Sequence, residues 1–236
     1  MCGLFGFVSK DRGAMNMNII ERLAEITERR GRHAWGIAWV DSRGRLRAYK
    51  QPGPISRSLD LLGIAADSQM LIGHCRYATH GDYNENLNNH PHPCDGGWVM
   101  HNGIISHYQK LVDDYALNMS TECDSEVVGL LIERFTGSLM QRCIKATEIC
   151  RGGSPFAMLG LWRNSMVIAR ANGQPLHVGE TSLGYYIASM KEGLPGSPYE
   201  IENNTVAIMG GQRSTPKAPP AVVVEPSKNK RLPFVH

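Results

Sequence analysis

From Phe156 to Met209 the chain is a succession of short β-type runs: F-A-M-L-G-L-W, M-V-I-A-R, P-L-H-V-G, Y-Y-I-A-S and T-V-A-I-M. Parallel neighbours need a crossover of a dozen or more residues, usually a helix. Turns rather than crossover helices separate these runs, so the pattern predicts antiparallel sheet. The first half mixes strands with helices. Leu4–Val8 reads as a buried strand around Gly6. Met15, Ile19, Leu23 and Ile26 recur at helical spacing, predicting a helix that ends near Arg29-Arg30-Gly31 with Gly31 as its terminator. Trp35–Val40 and Arg45–Tyr49 flank Asp41-Ser42-Arg43-Gly44 as a hairpin, and residues 56–64 read as a short helix. Met70–Tyr77 reads as a strand, followed by an irregular loop over 79–96 and a strand from Trp98 to His101 that runs into an Asn102-Gly103 turn. A helix is predicted to start around Thr121 with Asp124 as a capping-box-like partner, and another over 138–150. The class is α+β, and 236 residues suffice for one large domain or two small ones.

The second residue carries the chemistry. Removal of Met1, usual when a small side chain follows, makes Cys2 the first residue. A thiol and a free α-amine then share one carbon. The thiolate is the attacking form of a thiol whose ordinary pKa is about 8.5, and an α-amine of pKa about 7.7–8 can take its proton directly or through one water. An N-terminal amine acting as base for its own side chain is a recognised way to activate a nucleophile. Equally, Cys2 alone is compatible with a plain buried strand end. Further clusters lie at Arg30–Gly36, at Arg76-Tyr77-Ala78-Thr79-His80-Gly81 with Asn88-Asn89-His90-Pro91-His92, at His101-Asn102-Gly103, and at Glu122-Cys123-Asp124-Ser125-Glu126. Read alone, Asn102-Gly103 is a hairpin turn, Arg76 a solvated strand-end cation, Arg30 a cation at a helix C-terminus and Asp124 a helix cap.

Taken together and in order, these blocks resemble the class II, N-terminal nucleophile, glutamine amidotransferases, most of all the glutaminase domain of glucosamine-6-phosphate synthase. The matching text is M-C-G-L-F-G-F, R-G-x-x-x-x-G at 30–36, G-H-C-R-Y-A-T-H-G at 73–81, N-x-H-P-H at 88–92, H-N-G-I-I at 101–105 and T-E-C-D-S-E-V at 121–127. The resemblance implies a four-layer αββα sandwich over residues 2–211. It implies that Cys2 attacks the side-chain amide of L-glutamine through a γ-glutamyl thioester, with Asn102 and Gly103 as oxyanion donors and Arg30 beside the nucleophile. It assigns Arg76 to the substrate α-carboxylate and Asp124 to its α-ammonium, with Tyr77, Thr79, His80 and His90 shaping the pocket. Tyr77 replaces a usual tryptophan, the loop between Gly81 and His90 is one residue longer, and Met190 stands where an acidic residue is usual. No cofactor is implied. His90, His92 and Cys94, with His74, Cys75 and His80, match no common structural zinc spacing, so no metal is expected.

The remaining expectations are negative or concern partners. The net charge of +3 draws on Lys and Arg of the last two dozen residues, so no nucleic-acid-binding face is expected. There is no apolar run of membrane-spanning length and no secretory signal, and six cysteines in such a chain read as reduced thiols in the cytoplasm. Residues 212–236, Pro- and Lys-rich, are expected to form a disordered tail. With no synthase module following, the expected partner is a separate ammonia-accepting synthase chain. An amide hydrolase of other substrate and a catalytically silent regulatory module are the alternatives.

Overall fold

A computed structural model describes residues 1–210 and 222–223. β1 (Gly3–Ser9) is apolar along nearly its whole length because both of its faces are covered. Phe5 and Phe7 point one way, into a cluster with Ile20, Leu23 and Ala24 of α1 (Met17–Glu28). Leu4 and Val8 point the other way, into a cluster with Met100, Ala157 and Leu159. This is the period of two expected of a strand. Each fully buried aromatic or leucine contributes about 1.5–3 kcal/mol.

β2 (Ala34–Val40) and β3 (Leu46–Pro52) form the expected hairpin, with Asp41 accepting the amides of Arg43 and Arg45 in its turn. Two 3-10 segments, Ile55–Arg57 and Leu59–Ala65, stand in place of the expected short helix. β4 (Met70–Arg76) follows as predicted. The loop beyond it is more regular than its sequence suggests, since it contains a 3-10 turn at Asn86–Asn88 and β5 (His92–Cys94). β6 (Gly97–Gly103) corrects a second expectation. Asn102 and Gly103 are not a turn. They are the end of the strand, paired with Ala157 and Phe156.

α2 (Tyr108–Tyr115), which no sequence pattern announces, precedes α3 (Glu126–Arg134) and α4 (Leu139–Arg151). The capping box expected at Thr121 and Asp124 is absent. The Glu126 carboxylate accepts the amides of Ser120 and Thr121, and a capping box is found instead at Ser138 and Gln141 of α4. β7 (Phe156–Trp162), β8 (Ser165–Ala171), β9 (His177–Glu180), β10 (Gly184–Ala188), β11 (Tyr199–Glu200) and β12 (Thr205–Met209) complete the strand-rich half. β13 (Val222–Val223) pairs with β12. The rest of the expected 212–236 tail lies outside the described residues.

Every strand pair among the described residues is antiparallel. One sheet has the order β11-β9-β10-β1-β4-β2-β3 and the other β13-β12-β8-β7-β6-β5. Three apolar clusters follow. One lies between α1 and the first sheet, one between the sheets, and one between the second sheet and α2, α3 and α4. Helices outside two face-to-face sheets make the α+β four-layer sandwich that the resemblance implied. Among the described residues no helix is long and apolar enough to cross a membrane.

Candidate active site

Cys2 stands immediately before β1, in the middle of the seven-stranded sheet. β4 lies on one side, with Gly3 opposite Cys75, so the end of β4 runs alongside the thiol. The backbone N–H of Tyr77 donates to Cys2 Sγ at 3.2 Å, and Sγ is 3.4 Å from the Tyr77 carbonyl. Arg30 Nε donates to the Cys2 carbonyl at 2.7 Å. Its guanidinium therefore grips the Cys2 backbone. Burial pushes the Cys2 thiol up. The Tyr77 amide, the N-terminal ammonium and Arg76 pull it down, Asp124 pushes it up, and the net direction is upward. With Met1 in place the surroundings therefore favour the thiol over the thiolate.

Gly31 brings these parts together. Its role is not to end α1, whose last residue is Glu28. A β carbon at Gly31 would stand 2.4 Å from the carbonyl carbon of Arg76 and 2.6 Å from the amide nitrogen of Tyr77. Gly31→Ala should therefore push Tyr77 away from the thiol. The expected cost is about 1–3 kcal/mol of stability, as for other overpacked sites, together with a changed rate of Cys2 alkylation. Thermal denaturation and iodoacetamide labelling check this, and wild-type values for both would refute it.

Arg76 is 2% exposed, which removes the solvated reading. Its guanidinium donates to Asn89 Oδ1 at 2.7 Å and to the carbonyls of His80 and Gly81, so it shapes the loop over 80–89. Lys50 Nζ holds the same loop from outside through the carbonyls of Asn89 and Pro91, at 2.6 and 3.1 Å. The half-exposed Tyr77 ring stacks on His33, which stacks in turn on Tyr83. The Thr79 hydroxyl is 3.3 Å from His80 Nδ1. His80 Nδ1 lies 3.9 Å from Asp124 Oδ1. Asp124 is buried, and its Oδ2 accepts the Ile105 amide at 2.7 Å. Oδ1 has only long contacts, 3.5 Å from the Ser125 hydroxyl and 3.9 Å from His80 and Cys123. That oxygen can accept more.

Asn102 approaches from the other sheet, with its Nδ2 3.3 Å from Ser189 Oγ. Gly103 adopts φ +150, and a β carbon there would lie 2.4 Å from the Pro155 carbonyl and 2.7 Å from the His101 ring. No residue with a side chain fits. A cleft of about 500 Å³ lies beside the loop, lined by His80, Gly81, Tyr108, Thr121 and Glu122.

His90 is placed apart from these groups. It is 2% exposed and packs between His74 and His92, with ring centroids 4.0 and 4.7 Å away. Neither nitrogen of His90 or His92 has a hydrogen-bond partner among the described residues. One nitrogen of each of these two rings and Cys123 Sγ lie within 4.8 Å of one another. Burial first, and then the positive charges of Lys50 and Arg76, lower the basicity of His92, and the same two charges oppose a metal ion at this spot. Sequence reasoning missed Ser189 and Lys50, and placed Glu126 in a cluster without its capping role. Ser189 and Lys50 act through contacts distant in the chain, which no local spacing signals, and the Glu126 cap spans a turn that matches no capping-box spacing.

No family model matches the chain. It is 32% identical over 186 residues to glutamine–fructose-6-phosphate aminotransferase (isomerizing) of Aquifex aeolicus, covering 76% of this chain and 31% of that protein. The corresponding protein of Halalkalibacterium halodurans is 30% identical over 187 residues, with 76% and 30% covered. Among solved structures, glutamine phosphoribosylpyrophosphate amidotransferase from B. subtilis superposes with a TM-score of 0.73 at 22% identity, over 89% of this chain and 47% of that one. A glutamine aminotransferase class-II domain protein from Silicibacter pomeroyi gives 0.59 at 15% identity, over 89% and 96%. The chain is thus similar to a segment of these glutamine–fructose-6-phosphate aminotransferases and shares its fold with the solved amidotransferases. It spans about 30% of the length of the curated relatives. The superposition agrees with the antiparallel sandwich described above, and the fold expectation holds.

Proposed function

We propose that the domain over residues 2–211 hydrolyses the side-chain amide of L-glutamine to glutamate and ammonia. The observation that carries the proposal is the pinning of Cys2 at the head of the central strand, with Tyr77 N–H on its sulphur and Arg30 on its carbonyl. Once Met1 is removed, the Cys2 α-amine takes the thiol proton and sulphur attacks the amide carbon. The charge that develops on oxygen meets the Asn102 side-chain N–H and the Gly103 backbone N–H. The tetrahedral adduct collapses with cleavage of the C–N bond, and the proton held by the amine leaves with nitrogen as ammonia. Water then attacks the thioester by the same route in reverse and restores the thiol. Asp124 Oδ1 is suited to the substrate ammonium, and the positive charge of Arg76 to its carboxylate. His80, Thr79 and Tyr77 complete the pocket in this reading, while His90 lies apart from it between His74 and His92.

The ammonia is passed to a synthase. This is supported by the curated relatives, whose names specify a sugar-phosphate aminotransferase. The six unpaired cysteines suit a reducing cytoplasmic compartment. Intact-mass analysis after treatment with a diazoketone analogue of glutamine tests the proposal. The expected result is a chain lacking Met1 with one label on Cys2, prevented by excess glutamine. Active protein that retains Met1, or a label elsewhere, would overturn it.

A further inference from the structure

Ser189 follows β10 directly and is 2% exposed. Its backbone N–H donates to the Leu4 carbonyl at 2.9 Å, and its Oγ accepts the Leu4 N–H at 2.9 Å. Leu4 is two residues beyond Cys2. The same Oγ is 3.3 Å from the Asn102 side-chain amide, which arrives from the opposite sheet. One hydroxyl thus touches both the strand of the nucleophile and the side chain read above as an oxyanion donor.

Hydrogen-bond accounting then restricts the Asn102 amide. A serine hydroxyl has one donor and two acceptor sites, and an amide side chain has two donors on nitrogen and acceptor sites on oxygen. With nitrogen toward Ser189, Oδ1 is buried without a partner, and the serine proton goes unused. A buried acceptor left so costs about 1–3 kcal/mol. With the amide turned by half a rotation, the Ser189 hydroxyl donates to Oδ1 while still accepting from Leu4. Both amide N–H groups then point away from the serine, to the position where no protein group meets them. The two orientations have the same shape and leave either Oδ1 or the two N–H groups without a protein partner; the turned one uses the serine proton and is the orientation in which an oxyanion supplies the missing partner.

We propose that Ser189 is a positioning residue that holds the Asn102 amide with its oxygen inward and its N–H donors presented to the reacting carbonyl. It never touches substrate. The inference rests on the oxyanion reading of Asn102, and the tests separate the two. Removing one oxyanion donor lowers kcat by about 10²–10³, so Asn102→Ala should do this. Ser189→Ala should lower kcat by about ten- to a hundredfold with little change in KM, and should add nothing in an Asn102→Ala background. Ser189→Thr, which keeps the hydroxyl, should recover most of the loss.

Alkylation of Cys2 by iodoacetamide develops no oxyanion, so its rate should be unchanged in Ser189→Ala. If alkylation slows together with turnover, Ser189 merely supports β1 and the inference falls. Full additivity of the two alanine substitutions overturns it equally, as does wild-type turnover in Ser189→Ala. If Asn102→Ala leaves kcat intact, it is the oxyanion reading that fails. Should Ser189→Ala not fold, Ser189→Cys keeps the volume with a weak donor. The same kcat loss with unchanged alkylation is then expected, and undiminished kcat in that variant sinks the inference.

Discussion

Cys2→Ala should abolish glutamine hydrolysis while leaving the fold intact. The nucleophile and its base act as one unit, and knocking out a nucleophile that works in this way has cost about 10⁶ in kcat in another acyl-transfer enzyme. No second thiol can substitute, since Cys75, Cys94, Cys123, Cys143 and Cys150 are all buried. Burial also holds those thiols protonated, with Cys123 and Cys143 pushed up to about 11 and about 12. Cys2 precedes β1 and belongs to none of the three apolar clusters, so alanine should change stability little. Cys2→Ser is the sharper variant. It keeps the shape and the Tyr77 hydrogen bond but replaces the sulphur by a far weaker nucleophile. Steady-state ammonia release checks both, with circular dichroism as the control for folding. Alanine protein that turns over glutamine at more than about a thousandth of the wild-type rate would place the chemistry elsewhere.

The second large effect is loss of stability in mild acid. Four histidines are buried where the sheets and the loop after β4 meet: His74, His90, His92 and His101. Desolvation is the main cause of lowered basicity in each. Arg76 adds to it at His74, His90 and His92, Lys50 adds at His92, and Asp124 opposes it at His101. His74 is brought down to about 3 and His101 to about 4, and the other two fall well below their ordinary value of 6.5. In the unfolded chain these groups take up protons below pH 6.5, and in the folded chain they do not. Stability is therefore complete above pH 6.5 and is lost as pH falls toward 4. Each group contributes up to about 1.4 kcal/mol per pH unit in that window. Four together remove about 4–5 kcal/mol between pH 6 and 5, against a total of about 5–15 kcal/mol for an ordinary domain. Denaturant titrations at pH 7, 6 and 5 measure this, and the slope should correspond to uptake of three to four protons on unfolding. A flat profile over that range would show that the histidines find partners or water when folded.

The parts of the fold legible from sequence were those written in local pattern. The hairpin over residues 34–52, α1 and the run of strands after Phe156 each repeat apolar residues at their own period, and each appears where that period put it. Asn102-Gly103 was misread because its dipeptide favours turns. In the structure, pairing with β7 and the close approach of Pro155 decide its conformation. β5 was hidden by the prolines at 91 and 93, and α2 by a polar sequence with a single fully buried position, Leu111. The bridge at Ser189 joins segments that only the finished fold brings together. A residue's chemistry can be read from its type, but its partner across two sheets cannot.

The order of the first sheet has a practical consequence. Chain ends commonly fray and tolerate additions, yet here three strands flank the leading one on either side. The amides of Phe5 and Phe7 should exchange with solvent only when the entire molecule opens, and at the same low rate as those of β4. Reactivity at the very tip of the polypeptide is thereby tied to global integrity rather than to local flexibility. A purification tag left in front of Cys2 would silence the protein without unfolding it, and clean proteolytic release of that tag should bring it back.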